Sequence, residues 1–341
     1  MAMTGVPQDV RRRTAAARTA TPARTGSAPG RLLRSPLLLR IFAWAAAISN
    51  GLIAVTGATV RVTGSGLGCE TWPECQPGSL VPVSRSGLAA VHQAIEFGNR
   101  TLTGVVLIAS LGTFVLAVLA RPRRRSVVWL AAAAPVGVLF QAVWGGIVVR
   151  TELTWWTVAP HMLVSLVLLF FAIAVVVRLG EPDGPAVPVV PRPLRLLTMA
   201  TVGVLALLCV AGTLVTAAGP HAGDDRTPRL DVPVRDVAQV HADLMFAYFG
   251  LLVATTVAFL AVRAPRRLLV RSWVLVGVTL AQGLIGLVQF ATGVPEVLVV
   301  THVLGAVVLV ATAAAVLFAT RTRDGAATPA VTGPVAEAAA R

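Results

Sequence analysis

The chain has 341 residues, 56% of them hydrophobic and 13% charged, with a mean hydropathy of +0.79. That is too apolar for a soluble domain of ordinary composition and points to a lipid bilayer as the solvent. The formal charge of +14 would suit nucleic acid if it formed one patch; it is instead divided among short arginine clusters between apolar runs, which argues against a nucleic-acid partner.

Residues 1–35, rich in Arg, Thr, Ala, Gly and Pro, read as a disordered cytoplasmic arm without the cleavage pattern of a signal peptide. Eight apolar runs follow, near 37–59, 90–119, 127–149, 157–178, 194–217, 236–262, 269–291 and 297–319. Each has at least the roughly 17 to 25 residues that cross a hydrocarbon core of about 30 Å. The fold class expected is therefore an all-α membrane protein. Arginines crowd the first arm, 121–125, Arg178 to Arg195, 263–271 and Arg321 with Arg323, while the intervening loops carry Glu70, Glu74, Glu152, Asp224, Asp225, Asp231 and Glu296. Positive charge stays inside, so both termini are expected in the cytoplasm of a cell membrane, with 321–341 as a loose tail.

The first outward loop, within 61–88, contains RVTGSGLGCETWPECQPG. Cys69 and Cys75 on the outer face favour a disulfide. So short a loop gains little from entropy, which leaves redox activity and shaping of the loop both open. In the second run, His92, Glu96, Asn99, Arg100 and Thr103 share one helical stripe. Glu96 and Arg100 could simply hide each other's charge as an i,i+4 pair. Their counterparts in the second half are Ala238 and Ala242, so a pair required by the fold alone would be expected twice, and a chemical role for Glu96 is the reading preferred.

Those counterparts come from an internal repeat. LFQAVWGGIVVRTELTWWTVAPHMLVSLVLL from Leu139 aligns with LAQGLIGLVQFATGVPEVLVVTHVLGAVVL from Leu280, placing Gln141 on Gln282, Gly145 on Gly286 and His161 on His302. IEFGNR at 95–100 falls on VAQVHA at 237–242, placing Asn99 on His241, and Gly57 corresponds to Gly212. Two parallel four-helix units are expected, 36–180 and 194–320, joined by a linker at 181–193. Polar groups in a bilayer are costly and face the bundle interior. One intramembrane histidine could merely bond across helices, but two at repeat-related positions and equal depth suit a bis-imidazole haem site; zinc or copper would want further ligands. Cys209 reads as a small apolar filler and His221 as a surface residue.

GATVRVTGSGLGCETWPEC, IEFGNR and histidines 161, 241 and 302 together resemble the bacterial haem A synthase family over roughly 40–320. The resemblance implies an eight-helix oxidoreductase that converts the methyl at ring position eight of haem O to a formyl group. It also implies that His241 and His302 hold the iron of a permanent haem b. In the first half it implies that His161, with Asn99 and Arg100, faces the substrate haem iron, that Glu96 is the essential carboxylate, and that Cys69 and Cys75 form a redox-linked pair. Relatives often carry histidine where this chain has Asn99, so the substrate iron is expected to have one protein ligand. Expected partners are haem O, a haem O synthase, an electron donor such as quinol, the bilayer and a second copy of the chain. A haem b cytochrome that only carries electrons is the competing reading, and a transporter built from parallel repeats is a third.

Overall fold

The computed structural model describes residues 33–323 except Arg85, so the expected arm before residue 33 and the tail after 323 lie outside the described residues. Eight helices follow in order: α1 Pro36–Val62, α2 Gly87–Leu119, α3 Arg125–Arg150, α4 Trp155–Leu179, α5 Arg192–Ala218, α6 Val234–Ala261, α7 Arg266–Ala291 and α8 Glu296–Ala319. Each is long and apolar enough to cross a membrane, and the chain is a multi-pass membrane protein.

The helices end where backbone chemistry stops them. Prolines at N1 or N2 open α1 and α5, where a missing N–H costs nothing, and α6, α7 and α8 begin directly after Pro233, Pro265 and Pro295. On α1, Leu37, Ile41, Trp44, Ile48 and Leu52 are exposed, while Ala43, Ala46, Ala47, Gly51 and Ala54 are buried. The large side chains take the lipid stripe; the small ones let neighbouring helices approach. At Gly51 an added Cβ would sit 2.8 Å from Val307 Cγ1, so the Val307 side chain of α8 rests directly on the backbone of α1.

Packing is cyclic within each run of four. Helix α1 packs on α2 and α4, and α3 packs on the same two; α5 packs on α6 and α8, and so does α7. Contacts of α8 with α1 and α4, and of α4 with α5, join the two runs. The main apolar core spans that junction, from Ala54, Leu166 and Leu169 to Leu205, Leu208, Val307 and Val310.

At the arginine-rich end, the segment between α4 and α5 is pinned from several directions. Val187 and Pro188 (β1) pair antiparallel with Thr322 and Arg321 (β2), and Asp183 accepts from Arg124 Nε at 2.5 Å and Arg178 Nη2 at 3.2 Å. Buried Glu181 approaches Arg323 Nε at 3.3 Å. The opposite end carries the 63–86 loop, closed by the Cys69–Cys75 disulfide.

Candidate functional site

The imidazoles of His241 on α6 and His302 on α8 face each other with ring centroids 6.4 Å apart and planes at 65°. Two rings bonded to one ion through metal–nitrogen bonds of about 2 Å would place their centroids on the order of 6 Å apart. His241 Nδ1 lies 3.1 Å from the Leu208 carbonyl. A carbonyl only accepts, so that nitrogen carries the proton and Nε2 keeps its lone pair for a ligand role. His302 Nδ1 is buried and has no hydrogen-bond partner among the described residues.

Glycines make the room for both rings. A Cβ at Gly212 would stand 3.1 Å from His241 Cε1, and one at Gly286 would stand 3.0 Å from His302 Cε1. The backbone of His302 is fixed by Gln282, whose Nε2 donates to the His302 carbonyl at 2.8 Å. A proton fixed on His241 Nδ1, a glycine cradle and the ring spacing together fit a flat tetrapyrrole ligated from both faces.

The first half repeats half of this plan. Gln141 Nε2 donates to the His161 carbonyl at 2.8 Å, a Cβ at Gly145 would stand 3.5 Å from His161 Cε1, and His161 Nδ1 is buried without a partner among the described residues. At the position that the repeat pairs with His241, Asn99 Oδ1 accepts from Thr56 at 2.7 Å, and Gly57 has nothing within 4 Å of where a Cβ would lie. Asparagine is too short to fill the space that an imidazole takes beside Gly212.

Glu96 and Arg100 do pair, with Arg100 Nη2 2.5 Å from Glu96 Oε1. The bond extends beyond the helix: Glu96 Oε2 accepts from the Cys69 amide at 2.7 Å, and Arg100 donates to the carbonyls of Cys69, Thr71 and Glu74 at 2.9, 2.8 and 3.2 Å. The pair therefore clamps the 63–86 loop onto α2. The loop in turn covers this end of the first half. Trp72 lies on Gly146, where a Cβ would meet its ring at 2.5 Å, and Gly68 lies on the His92 carbonyl, where a Cβ would also be at 2.5 Å. Both cysteines are buried, at 0% and 1% exposure, so the disulfide has no direct solvent access.

The structure thus unites His241 with His302, and Glu96 with Arg100 and the cysteine loop. His92 is half-buried on α2. His221 is half-buried rather than at the surface, its Nε2 2.9 Å from the Val294 carbonyl, and Cys209 is a free thiol packed against the main core. Three features escaped the sequence reading: the glutamine braces, the glycine cradles and the seat of Trp72. The repeat alignment had already paired Gln141 with Gln282 and Gly145 with Gly286, which was the available signal.

Comparison with known proteins gives a consistent picture. A protoheme IX farnesyltransferase of Thermus thermophilus is 35% identical over 94 residues, which is 27% of this chain and only 15% of that protein. Heme A synthase of Exiguobacterium sibiricum is 27% identical over 219 residues, covering 62% of this chain and 72% of the relative. Heme A synthase of Geobacillus kaustophilus is 30% identical over 126 residues, or 36% of this chain and 37% of its own length. The family model described as Cytochrome oxidase assembly protein matches residues 40–314, from the first turns of α1 into α8, and the chain belongs to that COX15-CtaA family.

Proposed function

We propose that this protein is a haem A synthase, oxidising the C8 methyl of haem O to a formyl group. The observation that carries the reading is the asymmetry of two equivalent pockets. One has two facing imidazoles at 6.4 Å; the other keeps His161 with its glutamine brace but has Asn99 at the position equivalent to His241. A closed bis-imidazole site suits a resident haem b, and a site with one imidazole suits a substrate that must arrive and leave.

In this reading His241 and His302 hold the haem b, which supplies one-electron transfer when bound. His161 orients haem O in the first half, and Gln141 keeps the His161 backbone in place. The 63–86 loop, with Trp72 on Gly146, excludes water from that pocket. Each hydroxylation takes dioxygen, two electrons and two protons and gives water, turning the methyl first into an alcohol and then into a geminal diol, which loses water to leave the aldehyde; Glu96 holds and passes on the protons that these steps consume. Oε1 accepts twice from Arg100 and Oε2 accepts from the Cys69 amide, so the carboxylate is held in one orientation at the base of the loop. The halves are 36–180 and 194–320, duplicated in parallel. The disulfide loop faces outward and both termini lie in the cytoplasm of the cell membrane, with a haem O synthase as supplier and a quinol as electron source.

The test is expression with a haem O source followed by pigment extraction. Haem A is expected from the unaltered protein, and haem b without haem A from Glu96→Ala. Extraction of haem b alone from the unaltered protein would instead identify an electron carrier, and no pigment at all a transporter.

A further inference from the structure

We propose that Arg61 and Arg229 bind the carboxylates of the tetrapyrrole held by His241 and His302, so that a guanidinium from the first half closes the site of the second. This rests on the haem reading of that site.

Arg61 stands in the last turn of α1 and reaches across to the end of α5, where its Nε donates to the His221 carbonyl at 2.6 Å and its Nη2 to the Thr216 carbonyl at 2.8 Å. Arg229, from the loop before α6, donates to the Gly219 carbonyl in the same segment. The two cations are close enough to act on each other's charge. Among the described residues no carboxylate pairs with either, although Arg100, Arg124, Arg178, Arg226 and Arg323 all have acidic partners. Arg61 is half-buried and Arg229 exposed beside it, and two like charges so placed repel each other unless an anion lies between them. Arg61 Nη1 also donates to no protein atom among the described residues, so one arm of the guanidinium fork is free.

Position selects the anion. Thr216 lies four residues, one helical turn, beyond Gly212, and Gly212 is the glycine against the His241 ring. The guanidinium thus sits about 6 Å along α5 from the imidazole, toward the disulfide end. A tetrapyrrole between the two histidines has its acidic side chains on one edge, at this order of distance from its centre. Bidentate recognition of carboxylate is what guanidinium geometry favours. The bland role is a cap on the last carbonyls of α5, which a cation also stabilises; it accounts for the two bonds of Arg61 but not for the second arginine beside it.

The full chain in detergent would be titrated with protohaem and with protohaem dimethyl ester, whose carboxylates are blocked, while absorption is followed. The unaltered chain should bind the free acid about tenfold or more tightly than the ester, the equivalent of one charge-assisted hydrogen bond. In R61Q and in R229Q that ratio should fall, approaching one in the double variant, with the low-spin spectrum retained. Partition of the ester into detergent is common to all variants and cancels. R229Q carries the test even where R61Q loses helical content, because Arg229 is exposed on a loop. An unchanged ratio in R229Q and R61Q overturns the proposal and leaves the arginines as caps. Failure of the unaltered chain to bind either pigment overturns the haem reading itself.

Discussion

The two runs of four helices pack in the same cyclic order, and they differ in a few side chains and in one loop. In the second half, His241 and His302 face each other and 219–233 forms a short connection, tied down through Leu230 to the Ala217 carbonyl and Thr227 to the Glu152 carbonyl. In the first, one imidazole is replaced by Asn99, and a longer loop with a disulfide is clamped by Glu96 and Arg100. In the function proposed above, duplication supplies two pockets, one closed at its ligands and the other covered by the loop. A site that retains its group and a site that exchanges it differ in this way.

The comparison breaks most readily at the histidines. His302→Ala should abolish the low-spin haem spectrum of the second half, whereas His161→Ala should preserve it and abolish haem A; both are read from absorption and extracted pigment. If His161→Ala removed the low-spin signal, the assignment of the two pockets would be reversed. Glu96→Gln should be the next largest effect, since it leaves Arg100 without its counter-charge at the lid. Breaking a buried pair costs roughly 3 kcal/mol or more, and the exposed share of Arg100 places this case at the low end. The measurement is thermal inactivation together with the rate at which reductant and alkylating agent capture Cys69 and Cys75, which should rise from near zero.

A milder change sharpens the comparison instead. Asn99→His places an imidazole opposite open Gly57, as His241 stands opposite Gly212, and should create a second low-spin haem signal at the expense of haem A formation. An unaltered spectrum would show that Asn99 does not face the iron position. The smallest effect concerns the cradle. Gly286→Ala brings a Cβ to 3.0 Å from His302, tight enough to shift the ring, while Gly145→Ala meets His161 at an ordinary 3.5 Å. Spectral broadening is expected for the first substitution and almost none for the second.

The spans were legible because hydropathy measures the same property that the bilayer selects. The run at 37–59 became Pro36–Val62 and that at 269–291 became Arg266–Ala291; the ends moved because Arg61 and Arg266 are helical yet polar. The histidine pair was legible through the repeat. Glu96 was only half legible. The absence of acidic and basic counterparts at Ala238 and Ala242 argued against a pair made for the fold, yet the pair exists, because only the first half has a loop of this length to hold. That relationship depends on the Cys69 amide, a backbone group that no side-chain pattern announces. Arg61 was not legible as a link at all, since its partners lie 155 and 160 residues away.

The clasp at the arginine-rich end bears on how the molecule withstands damage. The chain between α4 and α5 is held by Asp183 on Arg124 and Arg178, by Glu181 on Arg323, and by the short pairing of Val187 and Pro188 with 321–322. A single proteolytic cut between Gly184 and Val187 would sever the covalent joint while each new end remained fastened to a different neighbour. The two fragments should then travel together through purification, and the continuity that the peptide bond ordinarily provides would be supplied by salt bridges and the α1, α4, α5 and α8 contact.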